Sequence, residues 1–336
     1  MALTGLLVEL KKRLYIYVLL DMMLAILIGA QVDIPRDALR LAGWLSVFIM
    51  LYPMLTGMNV EKVGKAVKRP WLAGLSLTYA FLVASLTAYI ISHTILRGYP
   101  EIAFALAMVG AIPCSNMLIG WTGIAEASVE DALVVAVSGL LLIPLVSPIL
   151  LSLVGGVFVE FSPAALAVIL ATYIVVPLVL GTVTRRLLVK RLGMDGFMRI
   201  KPLFPGVSAL GVLLIVFIAS ARVANLVISN PSIIAVVSGG LLAYYAVQTI
   251  IALATIWVFK IEYRYAMIIL LASVASSQAI SLSVAAAMFP SLTVFALSMK
   301  PLLQVLYILL LVYTIAPVLR EWNNSRNPGS VTSGND

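Results

Sequence analysis

The chain has 336 residues, of which 62% are hydrophobic and 11% charged, and its mean hydropathy is +1.12. A soluble domain of this length could not bury so much apolar surface, so the composition excludes a soluble globular protein and predicts an integral membrane protein. The formal net charge of +8 comes from short basic blocks between apolar runs, which is typical of orientation in a bilayer and excludes nucleic acid as the partner.

The first apolar stretch, residues 14–30, follows Lys11-Lys12-Arg13 and has the look of a signal peptide. Because similar stretches follow along the chain, we interpret it as a retained first span. At about 20 residues per span, ten spans are predicted, at residues 14–30, 41–58, 71–95, 102–121, 132–156, 163–184, 203–226, 231–258, 265–289 and 294–316. Spans of this length should be helices, since backbone amides in hydrocarbon need partners within the segment, and the fold class is therefore all-α.

The distribution of Lys and Arg supports this assignment, because cytoplasmic connections should hold most of them. With the N-terminus inside, only five of the 22 Lys and Arg residues fall on the outer side: Arg36, Arg40, Arg97, Arg222 and Lys300. We therefore predict a multi-pass protein of the cell membrane with both termini cytoplasmic. Residues 1–322 form one transporter domain, and residues 323–336, which are polar and rich in turn formers, are predicted to be a disordered cytoplasmic tail.

Five spans place the second half of the chain in the opposite orientation to the first, which predicts two inverted repeats at about 14–156 and 163–316. The fourth span of each half is interrupted by polar residues. Span four is broken at Pro113-Cys114-Ser115-Asn116, and span nine by the serines and glutamine between Ser273 and Ser283. Matching breaks predict a solute site at the membrane centre, about which the two inverted halves rock.

Residues 110–121 read Gly-Ala-Ile-Pro-Cys-Ser-Asn-Met-Leu-Ile-Gly-Trp, with Met117 and Trp121 at characteristic spacings after the cysteine. On this segment the chain resembles the bile acid/sodium symporter superfamily and, within it, the arsenical-resistance permeases that export arsenite. Weaker similarities are Tyr52-Pro53 and the run Pro301-Leu-Leu-Gln-Val305, and the resemblance extends over residues 14–318. It implies ten helices in two inverted five-helix halves, with spans four and nine crossing as broken helices.

The chain also departs from the arsenite permeases. Those proteins typically carry an Asn-Asn-Phe-Glu-like run in span nine and an acid in span ten, where this chain has Ser276-Ser-Gln-Ala-Ile280 and Gln304. Pro113 replaces the basic residue expected before the cysteine. Ser115-Asn116 and Gln278 are more similar to the crossover of the sodium-coupled organic anion carriers, so both substrate classes stay open here.

Cys114, the one cysteine of the chain, suits an arsenite site because As(III) is a soft centre that binds thiols. A single thiol favours transient capture over permanent chelation. The alternative is a packing role, since a free cysteine behaves as a small buried hydrophobe. Together with Pro113 and the resemblance, we predict that Cys114 contacts the substrate.

Asn116 and Gln278 could bind a hydroxylated solute or offer carbonyl oxygens to Na⁺, or they could link helices by hydrogen bonds. Ser273, Ser277 and Ser281 recur every fourth residue and would form one polar stripe if span nine were helical there. Such serines could equally bond to carbonyls of their own helix. The predicted substrate-binding residues are Pro113, Cys114, Ser115, Asn116, Ser277, Gln278 and Ser281.

Three residues are candidates for ion coupling. Asp21 is an acid well inside a span and could carry a proton, although we favour a structural pairing with Arg13. Lys300 could stand in for a coupling cation or attract an anion from outside, although we favour a side chain that snorkels to the outer interface. Gln304 occupies the position of the missing acid of span ten.

Enzymes of the membrane interior are excluded by the absence of paired aspartates and of a Ser and His at matching depth. No metal site or cofactor is predicted, and a channel stays an alternative. We predict a secondary transporter that exports arsenite, as the neutral acid or the oxyanion, in exchange for H⁺. The alternative is a Na⁺-coupled symporter of organic anions.

Overall fold

The fold is known from a computed structural model, which describes residues 14–32, 36–57, 69–113 and 116–326. Every regular element among these residues is a helix. The helices are α1 (Leu14–Gly29), α2 (Arg36–Thr56), α3 (Pro70–Thr94), α4 (Pro100–Ala111), α5 (Asn116–Ile124), α6 (Val129–Val154), α7 (Pro163–Ile200), α8 (Phe204–Arg222), α9 (Ala224–Ser229), α10 (Ser232–Val258), α11 (Tyr263–Val274), α12 (Gln278–Met288) and α13 (Ser291–Arg326). A turn of π-helix interrupts α3 at Tyr79–Val83 and α13 at Leu311–Ile315.

Local sequence explains several of the helix starts. Pro70, Pro100 and Pro163 each stand in the first turn of a helix, where the missing N–H removes no hydrogen bond. Ser162 also caps α7, since its Oγ accepts a hydrogen bond from the Ala165 amide at 3.3 Å.

Length and composition allow five helical stretches to cross a membrane: Pro70–Thr94, Val129–Val154, Pro163–Arg222, Ser232–Val258 and Ser291–Arg326. Shorter apolar helices account for much of the remaining predicted spans. Large apolar side chains on the surface, such as Leu145 (68% exposed) and Ile250 (66% exposed), are typical of contact with lipid. The all-α prediction is confirmed for the described residues, and the chain has the helices of a multi-pass membrane protein.

Two helices extend beyond the predicted boundaries. The helix of span six does not end at residue 184 but continues through the basic connection to Ile200, with a corner at Gly193, whose φ of +71° is readily adopted by glycine. The last helix reaches Arg326, four residues into the tail that was expected to be disordered. It persists because Asn323 accepts a hydrogen bond from the Tyr263 amide at 3.3 Å, which fixes the end of α13 to the start of α11. Residues 327–336 lie outside the described part of the chain.

The helices pack as two bundles. We call α1, α2, α7 and α8 the first bundle, and α3 to α6 with α10 to α13 the second bundle. Glycines allow close helix contact within the first bundle: a Cβ on Gly211 of α8 would lie 2.7 Å from the Ser46 carbonyl oxygen of α2. The first bundle meets the second where α7 contacts α6 and where α1, α2 and α8 contact α12 and α13. Each bundle therefore contains helices from both halves of the sequence.

Segments that the charge pattern assigns to the same side of the membrane contact each other. At the predicted inner end, Arg69 pairs with Asp131 at 3.4 Å and Arg320 pairs with Glu126 at 2.9 Å. At the predicted outer end, the Thr293 hydroxyl donates to the Glu101 carbonyl oxygen at 3.1 Å, and the rings of His93 and Phe158 lie 4.9 Å apart. The contacts agree with the order of inner and outer connections along the chain.

Candidate functional site

The two interrupted helices meet at their breaks. The first break separates α4, which ends at Ala111, from α5, and the second separates α11, which ends at Val274, from α12. Pro113 and Ser276 form an isolated antiparallel bridge, and the Ser277 amide donates to the Ile112 carbonyl oxygen at 3.3 Å. We call this contact the crossing. The sequence correctly predicted a break in each helix, and the structure brings the two together.

The crossing lies in the interior of the protein. Pro113 is buried, and Ser276 and Ser277 are 2% and 4% exposed. All residues of α4 from Ile102 to Ala111 are buried, as are those of α11 from Tyr265 to Val274. A solute that reaches the crossing would therefore be surrounded by protein. Cys114 and Ser115 lie outside the described residues, as does the side chain of Asn116.

Hydroxyl groups from neighbouring helices pair with carbonyl groups at the end of α4. Ser147 of α6 donates to the Ala111 carbonyl oxygen at 2.6 Å, and Ser85 of α3 donates to that of Gly110 at 3.3 Å. Carbonyl groups at a helix end lack partners within the helix, so these hydroxyls stabilise the broken end in an environment without water. The sequence did not identify these two serines, because an isolated serine in an apolar span can equally donate to a carbonyl group of its own helix.

The polar stripe predicted for span nine does not form on one helix. Ser273 belongs to α11, Ser277 caps α12, and Ser281 lies one turn into α12. The hydroxyls of Ser273 and Ser281 donate to the carbonyl oxygens of Leu270 (2.8 Å) and Ser277 (2.6 Å), within the segment to which they belong. These two serines therefore fit the structural alternative. The Ser277 hydroxyl accepts a 3.4 Å hydrogen bond from the Ile280 amide.

Two glutamines contribute buried acceptors. The Gln278 Nε2 donates to the Leu297 carbonyl oxygen at 3.0 Å, which fixes the start of α12 against α13. The Oε1 atoms of Gln278 and Gln304 are buried, and no group in the described part of the chain donates a hydrogen bond to them. Buried amide oxygens of this kind can accept a hydrogen bond from a solute hydroxyl or ligate a cation.

Lys300 is fully buried, so the prediction that it snorkels to the outer interface is wrong. Its side chain is 0% exposed, and its Nζ donates to Ser276 twice, to Oγ at 2.9 Å and to the backbone carbonyl oxygen at 3.3 Å. The ammonium group of α13 therefore lies at the second break, against the residue that pairs with Pro113. Gln304 follows Lys300 by four residues and lies on the same side of α13.

Asp21 is half-buried on α1, away from any basic partner among the described residues. Its Oδ2 atom is buried and accepts no hydrogen bond from them. The predicted partner Arg13 lies outside the described part of the chain. Helix α1 contacts α13, so Asp21 belongs to a helix that packs against the one carrying Lys300.

The crossing combines groups of both polarities. The N-termini of α5 and α12, which carry partial positive charge, and the C-termini of α4 and α11, which carry partial negative charge, adjoin the two breaks. Broken helices with this arrangement can bind an anionic or hydroxylated group at the N-termini and a cation at the C-termini.

Comparison with known proteins gives two matches. The profile of the Sodium Bile acid symporter family matches residues 44–230, which include the first break, the part of α2 from Trp44 onward and the helices α3 to α9. The Arsenical-resistance protein Acr3 of Alkaliphilus metalliredigens (strain QYMF) is 29% identical over an alignment of 217 residues that covers 60% of this chain and 58% of Acr3. The chain thus spans less than two thirds of the length of this curated relative.

Proposed function

Because this chain belongs to the Sodium Bile acid symporter family, a family of membrane transporters and not of enzymes, we propose that it is a secondary active transporter that exports arsenite. The proposal includes the ten-span topology with two inverted halves and cytoplasmic termini in the cell membrane. The contacts between segments assigned to the same side of the membrane support this topology.

The crossing is the observation that carries the proposal. Two helices pair at their polar breaks through Pro113 and Ser276, so backbone groups that are not bonded within a helix lie in the buried interior. The core of a soluble protein seldom contains such a feature. In transporters, broken helices of this kind form the substrate and ion sites. The Ser277 and Gln278 groups of the second break would supply hydroxyl and amide partners for a small hydroxylated solute.

Arsenite is the proposed substrate for two reasons. Cys114 directly follows Pro113 in the chain, and thiols bind As(III) strongly. The relative that aligns with this chain is named for arsenical resistance. We propose that Cys114 contacts arsenite, that Ser115, Asn116, Ser277 and Gln278 bind its hydroxyl groups, and that H⁺ is the ion exchanged. Ser281 is a weaker member of this set, since its hydroxyl already donates within α12.

The test is arsenite uptake into everted membrane vesicles that carry the full chain, with Na⁺ or with choline in the buffer. We expect the wild type to accumulate arsenite in both buffers, and Cys114→Ser to lose accumulation because the variant has no thiol. A second variant restores one thiol elsewhere: Cys114→Ser with Ser229→Cys, where residue 229 is exposed at the end of α9. This variant should stay inactive, which separates transport from simple binding of arsenite to protein thiols.

Folded protein is verified for each variant by size-exclusion chromatography in detergent. Wild-type vesicles that accumulate no arsenite would contradict the proposed substrate. Uptake of organic anions that requires Na⁺ would instead support a sodium-coupled carrier.

A further inference from the structure

The buried ammonium group of Lys300 has no role in the function proposed so far. A charged side chain in the interior of a membrane protein is costly and usually functional. Two of its contacts show where the charge lies: the Ser276 hydroxyl and carbonyl oxygens are 2.9 and 3.3 Å from Nζ. Both of these oxygens belong to one residue of the second break.

Ser276 follows α11 by two residues, beyond the last helical carbonyl groups at Val274. The C-terminal end of a half-helix and the unwound carbonyl groups beside it are where transporters with broken helices coordinate monovalent cations. The helix dipole favours a positive charge there. The Lys300 ammonium thus meets the kind of oxygen ligands and the electrostatic environment that would suit a sodium ion.

The sequence around the crossing supplies no carboxylate of its own to neutralise a second cation. From Ile102 to Ala125 and from Tyr263 to Arg320 the chain contains no Asp or Glu. A sodium ion at Ser276 would lie against the ammonium group, and like charges at that distance repel strongly in a buried site.

We propose that the Lys300 ammonium occupies the cation position of the crossing, so that this chain moves its substrate without Na⁺. The proposal rests on the transport function proposed above, because it assigns the crossing as the coupling site. The alternative is an anion-binding role for Lys300. In that case the ammonium group would contact the substrate, and the Ser276 oxygens would be free to bind a separate cation.

The decisive experiment measures thermal stability of the purified full-length chain in detergent, with NaCl or choline chloride at equal ionic strength. We expect the wild-type Tm to be the same in both salts. Lys300→Ala removes the ammonium group and leaves space beside Ser276, so its Tm should be higher in NaCl than in choline chloride. Lys190→Ala makes the same change at an exposed position of α7 and should show no difference between the salts.

Two results would overturn the proposal: a wild-type Tm that rises with Na⁺, or a folded Lys300→Ala variant whose Tm does not. If Lys300→Ala gives no folded protein, the proposal is tested instead by measuring the arsenite flux of the wild type in proteoliposomes. Equal flux in Na⁺ and choline supports the assignment of the Lys300 ammonium to the cation position, whereas a flux that requires Na⁺ contradicts it.

Transport variants add a second criterion. Lys300→Ala should lower flux by at least about tenfold, because a hydrogen bond to a charged buried group is lost, and Lys300→Arg should retain more of it. The thermal measurement needs no substrate. A wild type that moves no arsenite but shows the expected salt behaviour would therefore contradict the proposed substrate and leave the cation assignment supported.

Discussion

Ser147→Ala should destabilise the protein by removing the hydroxyl that pairs with the broken end of α4. Ser147 is 1% exposed, and its Oγ donates to the Ala111 carbonyl oxygen at 2.6 Å. Removing the donor leaves a buried carbonyl without that partner, which costs about 1–3 kcal/mol. We expect the upper part of this range, since no water reaches the membrane interior to replace the hydroxyl.

The control for this prediction lies on the same helix. Ser152 donates at 3.1 Å to the Ile149 carbonyl oxygen of its own helix and is more exposed. Ser152→Ala should therefore cost less than about 0.5 kcal/mol. The free energy of unfolding is measured by titrating SDS into mixed micelles and following tryptophan fluorescence, for which the chain has five tryptophans. Equal losses in the two variants would refute the assignment of Ser147 as the partner of the broken helix end.

Two further predictions concern helix packing and surface charge. Gly211→Leu should prevent folding, because a Cβ at this position would lie 2.7 Å from the backbone of α2. Gly239→Leu is the control and should yield normal amounts of folded protein, since no atom lies within 4 Å of a Cβ at that position. The two yields are compared by detergent extraction and size-exclusion chromatography, and similar yields would contradict the packing argument. Glu126→Gln weakens an exposed ion pair with Arg320 and should change the free energy of unfolding by less than about 1 kcal/mol. A larger loss in the same SDS titration would mean that the pair is part of a wider network.

Much of the fold followed from the sequence, because apolar length is a strong signal in membrane proteins. The predicted spans at 71–95 and 231–258 differ from α3 and α10 by no more than a residue at each end. The breaks were also predicted, since Pro113 removes a backbone donor and the polar run after Ser273 lowers the helical preference of span nine. The boundary at Ile200 could not be predicted, because basic residues are compatible with both a connection and a helix.

The contacts of the site were much less predictable. The sequence predicts that the Lys300 side chain snorkels to the outer interface. The helix starts at Ser291, so Lys300 lies about 14 Å along it, too far for its side chain to return to the interface. Its partner Ser276 comes from another helix, and the pairing depends on a crossing geometry that spacing along the sequence does not specify.

The two bundles do not follow the order of the helices along the chain. The chain passes from one bundle to the other between α2 and α3, between α6 and α7, and after α9, which packs mainly against α1. At the second of these connections the chain packs closely, since a Cβ on Gly155 would lie 2.9 Å from the Phe104 ring. The predicted sequence repeats and the packed bundles are thus different units: each bundle is assembled from helices of both halves of the chain, so any movement of one bundle against the other moves parts of both halves.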